Sequence, residues 1–247
     1  MKSQAITGNY QEANVDAIAV AVFKDEKASG GFLKDLNTLT GGLIASVIKS
    51  EEFTGKEGET VLLHVAPKGK VKASRILLVG IGEKTDYKTP NVAILAGTAT
   101  RILRKLNVKS FALVPRSDAE AREAAAQAMQ GVVTSLFELD KYKTKEKNDK
   151  AIDTFAICVE GANEKELKAG LERGEIIGES INFTRDLSNE PPNILTPTEM
   201  AKRAQQMAKE TGLKCEILDE KQMQKLGMGS LLSVSYGSEQ PAKLIFL

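Results

Sequence analysis

Five stretches of the chain are almost continuously apolar over the length of a strand: residues 15–23, 60–65, 75–79, 110–114 and 154–159. Unbroken runs of this kind predict strands buried on both faces, as in a sheet with helices on either side. Between them the period changes. Val92, Leu95, Ala99, Ile102 and Leu106 recur at helical spacing, with Thr89-Pro90 ahead of them as N-cap and first helical residue. Ser117 and Glu120 fit a capping box, and Ala121, Ala125, Met129, Val132 and Leu136 form the stripe behind it. Helices between buried strands define an α/β layered domain.

A long helix is predicted from Asn163 to about Ser188. Asn163 and Glu166 fit the capping pattern, and Leu167, Leu171, Ile177 and Ile181 share a side. Gly170, Gly174 and Gly178 fall four residues apart within it. Each interior glycine costs about 1 kcal/mol relative to alanine, so the stripe predicts close approach by another backbone and a packed strut between two domains. Glu172, Arg173, Glu175 and Glu179 in the same segment exclude a membrane dimer. Pro191-Pro192 stops the helix. Thr196-Pro197-Thr198-Glu199 opens another, running to Thr211, with Gly212 suited to a left-handed cap. Lys214 to Leu218 reads as a strand, Asp219 as the cap of a short helix ending at Leu226-Gly227, and 231–234 and 244–247 as further strands. The last is almost wholly apolar, which is expected of a fold cut short.

Composition excludes little. The 247 residues are 42% hydrophobic and 27% charged, with 34 Lys+Arg against 33 Asp+Glu, so net charge gives no pull toward nucleic acid. No apolar run is long enough for a membrane span, and nothing behind Met1 resembles a signal core. Cys158 and Cys215 lack a CxxC pattern and are expected reduced. A cytoplasmic location follows.

Candidate chemistry is sparse. Metal sites need clustered His, Cys, Asp or Glu. The one histidine, His64, lies inside a strand and is expected to be a core or half-buried structural residue. Asp186 and Glu190 are four apart, but the prolines that follow favour a helix-end salt bridge or cap, with Arg185 able to neutralise either acid. Val79-Gly80-Ile81-Gly82 follows a strand, yet Thr85 stands where a dinucleotide fingerprint needs its third glycine, so a tight turn is expected. Gly30-Gly31 and Gly41-Gly42 are weaker phosphate-loop candidates. The lysines of 141–150 are diluted by Glu146 and Asp149 and read as a solvated loop. No residue is assigned as catalytic, cofactor-binding or metal-ligating.

Several blocks fall in a recognisable order: Gly80-Ile81-Gly82-Glu83, Arg101 to Leu106, Phe137 to Lys145, Arg185-Asp186-Leu187, Asn189-Glu190-Pro191-Pro192-Asn193, Thr196-Pro197, Leu226-Gly227-Met228-Gly229 and Gly237-Ser238. Together they resemble the leucyl (cytosol) aminopeptidases. The resemblance implies a macro-like layered α/β domain over 1–162, a connecting helix over 163–190, and the incomplete start of an α/β peptidase domain over 191–247. It implies an enzyme that releases N-terminal amino acids from peptides, using two divalent metals, manganese or zinc, in a cytoplasmic homohexamer. The family's glycine-rich lysine motif and Asp-Ser-Gly-Gly motif, which carry its ligands, are absent. This chain alone is therefore expected to bind no metal, to be inactive, and to serve architecture and assembly. The alternative is a macro-like binding module for a nucleotide or a partner protein.

Overall fold

The computed structural model describes residues 1–65, 71–145 and 149–247. Contact clustering divides the chain into two compact units, 1–183 and 184–247.

The first unit is built on a six-stranded sheet. Its strands are β1 (Lys2–Ile6), β2 (Ala17–Val22), β3 (Thr60–His64), β4 (Arg75–Gly80), β5 (Ser110–Val114) and β6 (Thr154–Cys158). They lie in the order β1-β6-β5-β2-β4-β3. All neighbours are parallel except β3, which runs antiparallel to β4 at one edge. The five apolar runs are thus five of the six strands. The apolar pattern does not reveal β1. Its Lys2, Ser3 and Gln4 are exposed at the other edge, so the segment carries no apolar run.

Alternate residues of β2 separate two cores. Ala17, Ala19 and Ala21 pack with α3 (Asn91–Lys105), α4 (Ala121–Ser135) and α5 (Glu164–Ser188). Ile18, Val20 and Val22 pack with α1 (Gly31–Leu39) and α2 (Leu43–Lys49). Small alanines let helices settle close on the first face, and branched residues fill the second. Phe111 and Phe155 are partners in register, and their ring centroids lie 5.2 Å apart. Asp16 pins the start of β2 to that of β5: its Oδ2 accepts from the backbone N–H of Lys109 and Ser110 and from the Ser110 hydroxyl, at 3.1, 2.8 and 2.9 Å.

The helix starts differ from expectation. Pro90, not Thr89, precedes the first helical residue of α3, and the Asn91 side chain accepts instead from the Lys88 N–H. Leu106 lies past the end of α3 and is 49% exposed; Leu103 occupies the buried position. No capping box forms at α4, because Ser117 Oγ accepts from the Ala119 N–H, within its own turn. Asn163 does cap α5, through the Lys165 N–H at 2.9 Å.

The glycine stripe of α5 meets α4 as its spacing implied. A Cβ on Gly174 would fall 2.2 Å from the Ala126 carbonyl oxygen, and one on Gly170 would fall 2.2 Å from that of Arg122. Asn182 extends the seam by donating its side-chain amide to the Val133 carbonyl at 3.0 Å.

The second unit begins within the last turns of α5. It holds α6 (Pro197–Thr211), β7 (Glu216–Leu218), α7 (Glu220–Lys225), α8 (Gly229–Ser235) and β8 (Leu244–Phe246). Thr196 caps α6 through the Glu199 N–H with proline at the first turn, and Gly212 ends it at φ 76°. Asp219 and Gln222 complete a capping box on α7. β7 and β8 pair antiparallel. The strand expected at 231–234 is instead α8. Met228 and Leu232, four apart, pack on buried Met223, while Val234 is 88% exposed. A run of four residues carries no period that separates strand from helix.

Candidate functional site

Polar side chains gather at several places among the described residues, and two of these bear on the candidate site. The first is the crest of the sheet, at the carboxyl ends of its parallel strands. The chain leaves β2 for α1 and α2 on one face and leaves β5 for α4 on the other. Loops diverging from adjacent strands open a crevice at such a switch point, where α/β sheets place ligands. Arg116 stands just past β5, with φ 51°. A non-glycine residue there is strained and persists only when its surroundings fix it. They do so here. Its guanidinium donates to the Ala21 carbonyl at 2.9 Å and to both Glu26 oxygens at 2.8 and 2.5 Å. It also stacks between Phe23 and Phe32, 5.1 and 4.7 Å from the ring centroids. Tyr87 closes one side by donating its hydroxyl to the Pro115 carbonyl at 2.7 Å. Burial pushes the Tyr87 hydroxyl well above the usual tyrosine value.

Beside Arg116 a pocket of about 190 Å³ opens between the loops after β1, β5 and β6. Tyr10, Phe32, Val114 and Pro115 give it apolar walls, and Cys158 and Glu160 stand at its polar end. Burial pushes the Cys158 thiol up to about 11, and its Sγ donates to the Gly8 carbonyl at 3.4 Å. Desolvation raises the Tyr10 hydroxyl as well, with the charges of Asp35 and Glu160 adding to it.

The second place lies in the second unit. Arg203, on α6, gathers three carboxylates: Glu190 at 2.9 Å, Glu199 at 3.3 Å and Asp186 at 3.4 Å. The Glu190 side chain is 1% exposed. The bond from Glu190 does most to raise Arg203 above its ordinary value. The expected helix-end salt bridge is therefore present, with Arg203 as a cation in it. Carboxylates held on a guanidinium are poorly disposed to take a metal ion. Among the described residues no group of three or more His, Cys, Asp or Glu is placed to hold one, so no metal-dependent step is derived from these side chains.

The remaining sequence candidates do not converge. His64 is exposed at the end of β3, opposite Arg75, and neither in the core nor half-buried as expected. Both faces of β3 pack, Leu62 on one core and Leu63 on the other, and His64 is exposed as the last residue of the strand. Gly80 and Gly82 form a tight turn. A Cβ on Gly80 would meet the Lys56 carbonyl oxygen at 2.1 Å, and Gly82 has φ 75°. Gly31, Gly41 and Gly42 have positive φ with open space around them, at the starts of α1 and α2. Cys158 and Cys215 are both free thiols. Of the lysine-rich loop, Glu146 and Lys147 lie outside the described residues.

A layered, mostly parallel sheet, a long glycine-seamed helix and a second, smaller α/β unit define the class of protein. Comparison with known proteins gives the family. Residues 19–146 match the cytosol aminopeptidase family, N-terminal domain, and residues 182–247 match the cytosol aminopeptidase family, catalytic domain. This chain belongs to that family. It is 41% identical to a probable cytosol aminopeptidase of Solibacter usitatus over 96% of its own length and 46% of the relative's. It is 34% identical to one of Alkaliphilus metalliredigens over 100% of itself and 50% of that protein. The chain thus spans about half the length of the curated relatives it matches. Among solved structures, a tomato leucine aminopeptidase mutant shares the fold with a TM-score of 0.85 at 24% identity, covering 99% of this chain and 50% of that one. The bottromycin maturation enzyme BotP, in complex with Mn, has a TM-score of 0.71 at 20% identity, covering 94% and 44%.

Proposed function

We propose that this chain is the N-terminal portion of a two-metal leucyl aminopeptidase, an enzyme that releases N-terminal amino acids from peptides. One observation carries the reading. Both family domains match in order, and the match to the catalytic domain begins at residue 182, within α5. In this reading residues 1–162 form the N-terminal α/β domain, 163–190 connect, and 191–247 begin the peptidase domain. The whole protein works in the cytoplasm as a homohexamer on peptide substrates, with manganese or zinc as Lewis acid and activator of water. Residues 1–247 contribute architecture and assembly. Arg203 holds Glu190 and Asp186 where the chain passes from α5 to α6, which fixes the entry to the second unit.

The test is an assay of the purified 247-residue polypeptide on a leucyl chromogenic substrate, with manganese or zinc added. No turnover and no stoichiometric metal are expected. Metal-dependent hydrolysis by this chain, with host aminopeptidase excluded, overturns the reading.

A further inference from the structure

The pocket at the crest of the sheet takes no part in the aminopeptidase reading, yet it has the build of a binding site. It lies over the carboxyl ends of β5 and β6, next to the switch point between β2 and β5. One wall is held by Arg116, whose left-handed backbone is fixed by three hydrogen bonds to two partners, Ala21 and Glu26, and by two rings. Its volume, about 190 Å³, is below that of pockets for drug-sized ligands and suits a fragment-sized one.

Charge decides the kind of ligand. Arg116 is the lining cation, and Glu26 neutralises it with two short bonds. It offers no net positive charge to a phosphate or carboxylate. At the other end Glu160 is exposed and, among the described residues, makes no hydrogen bond or ion pair. Asp35 and Glu160 both act on the buried Tyr10 hydroxyl, so the local field is negative. Tyr10, Phe32 and Pro115 line the same pocket as Glu160 and give it apolar walls. Aromatic rings attract cations over their faces and accept an aliphatic body beside them.

We propose that this crevice binds a small primary ammonium compound with an apolar body, the ammonium pairing with Glu160 and the body lying against Tyr10, Phe32 and Pro115. The end group of a peptide with a free N-terminus has this chemistry, and a nucleoside diphosphate does not. The site stands independently of the aminopeptidase reading, because it lies wholly in the first unit and needs no metal.

Amide NMR titration of the intact chain tests it, with leucinamide, N-acetyl-leucinamide and ADP-ribose as probes. Leucinamide is expected to shift amides of residues 116–117 and 158–160, with a dissociation constant of about 1 mM or tighter. Acetylation of its amine, or the substitution Glu160→Gln, is expected to weaken binding at least about fivefold. Glu160 is exposed, so an otherwise unchanged amide spectrum verifies that the variant folds. The acetylated probe gives the same test without a mutation. The proposal is overturned if leucinamide gives no shifts, if the shifts lie elsewhere, if N-acetyl-leucinamide binds equally well, or if ADP-ribose binds more tightly than leucinamide.

Discussion

The two units use apolar residues in opposite ways. In the first, every residue of β2 is buried, from Ala17 to Val22, and the sheet is covered on both faces. In the second, the buried cluster is Leu218, Met223 and Ala242, while Val234 and Tyr236 are 88% and 93% exposed and Leu247 is 64% exposed. Burying a large aliphatic side chain contributes about 1.5–3 kcal/mol, so the second unit forgoes much of what its own sequence offers. It relies more on local devices: the Thr196 cap, the Asp219 capping box and the Arg203 ion cluster. A core built from long-range burial unfolds as a whole. One built from caps and ion pairs opens piecemeal.

The widest test of that contrast is hydrogen exchange. Amides of β2, β4 and β5 are expected to exchange only on global unfolding, which costs about 5–15 kcal/mol in ordinary domains. Amides of β7 and β8 are expected to exchange orders of magnitude faster. Limited proteolysis should cut first beyond about Ser188 and leave a resistant N-terminal core. Equal protection of 191–247 and the sheet in a monomer breaks the comparison.

A substitution at one kind of residue in both units sharpens it. Gly174→Leu forces a side chain into the Ala126 carbonyl, 2.2 Å from its first carbon, and should cost about 3 kcal/mol or more by separating α5 from α4. Gly212→Ala meets nothing within 4 Å and strains only a φ of 76°. It should cost about 1 kcal/mol, confined to the second unit. Denaturant unfolding followed by far-UV circular dichroism measures both. A mild Gly174→Leu would mean that the seam is looser than its carbonyl contacts imply.

How far the sequence reveals these features follows from how local their causes are. The five buried strands are legible because each is a contiguous apolar run. β1 is not, since its partner β6 supplies the pairing from the far end of the same unit while three of its five side chains, Lys2, Ser3 and Gln4, are exposed. The α5 glycines declare a close approach, but not that α4 is the neighbour. Arg203 is hidden for a similar reason. It reaches Glu190 across Pro191-Pro192, from within α6 and 13 positions away in sequence. The crest pocket draws on segments around residues 10, 32, 116 and 160, so no spacing rule could assemble it. What local pattern does show, through the ordered family blocks, is the membership that the comparisons establish.

Within the second unit, Arg203→Ala removes one cation shared by three carboxylates, one of them almost wholly buried. Removing a charge-assisted bond from a buried carboxylate is costly, but Arg203 retains some exposure, so about 2 kcal/mol is expected. The loss should speed amide exchange in α6 and leave β2 and β5 unchanged. Equal loosening of the sheet would show that the units are not energetically separate.

The smallest effect concerns pH and belongs to the first unit. Burial holds the Cys158 thiol at about 11, against an ordinary value near 9.0. The neutral thiol is therefore favoured in the folded state. Below the unfolded value both states carry the proton and stability is at its full level. Between the two values the unfolded chain gives up its proton first, so it binds fewer protons than the native one, and stability falls as pH rises. At about pH 10 the loss should be about 1 kcal/mol. Burial also raises Tyr10 and Tyr87 in the same direction, so the wild-type slope contains their share at the upper end of this range. The Cys158→Ala variant isolates the thiol: its stability should fall less steeply than the wild type's between about pH 9 and 11, however stable it is near neutrality. All three groups lie in the first unit, so exchange in β7 and β8 should show little of this dependence. Identical slopes for wild type and variant would mean that Cys158 ionises in the folded chain as freely as in the unfolded one, and that the carboxyl end of β6 is wetter than its burial indicates.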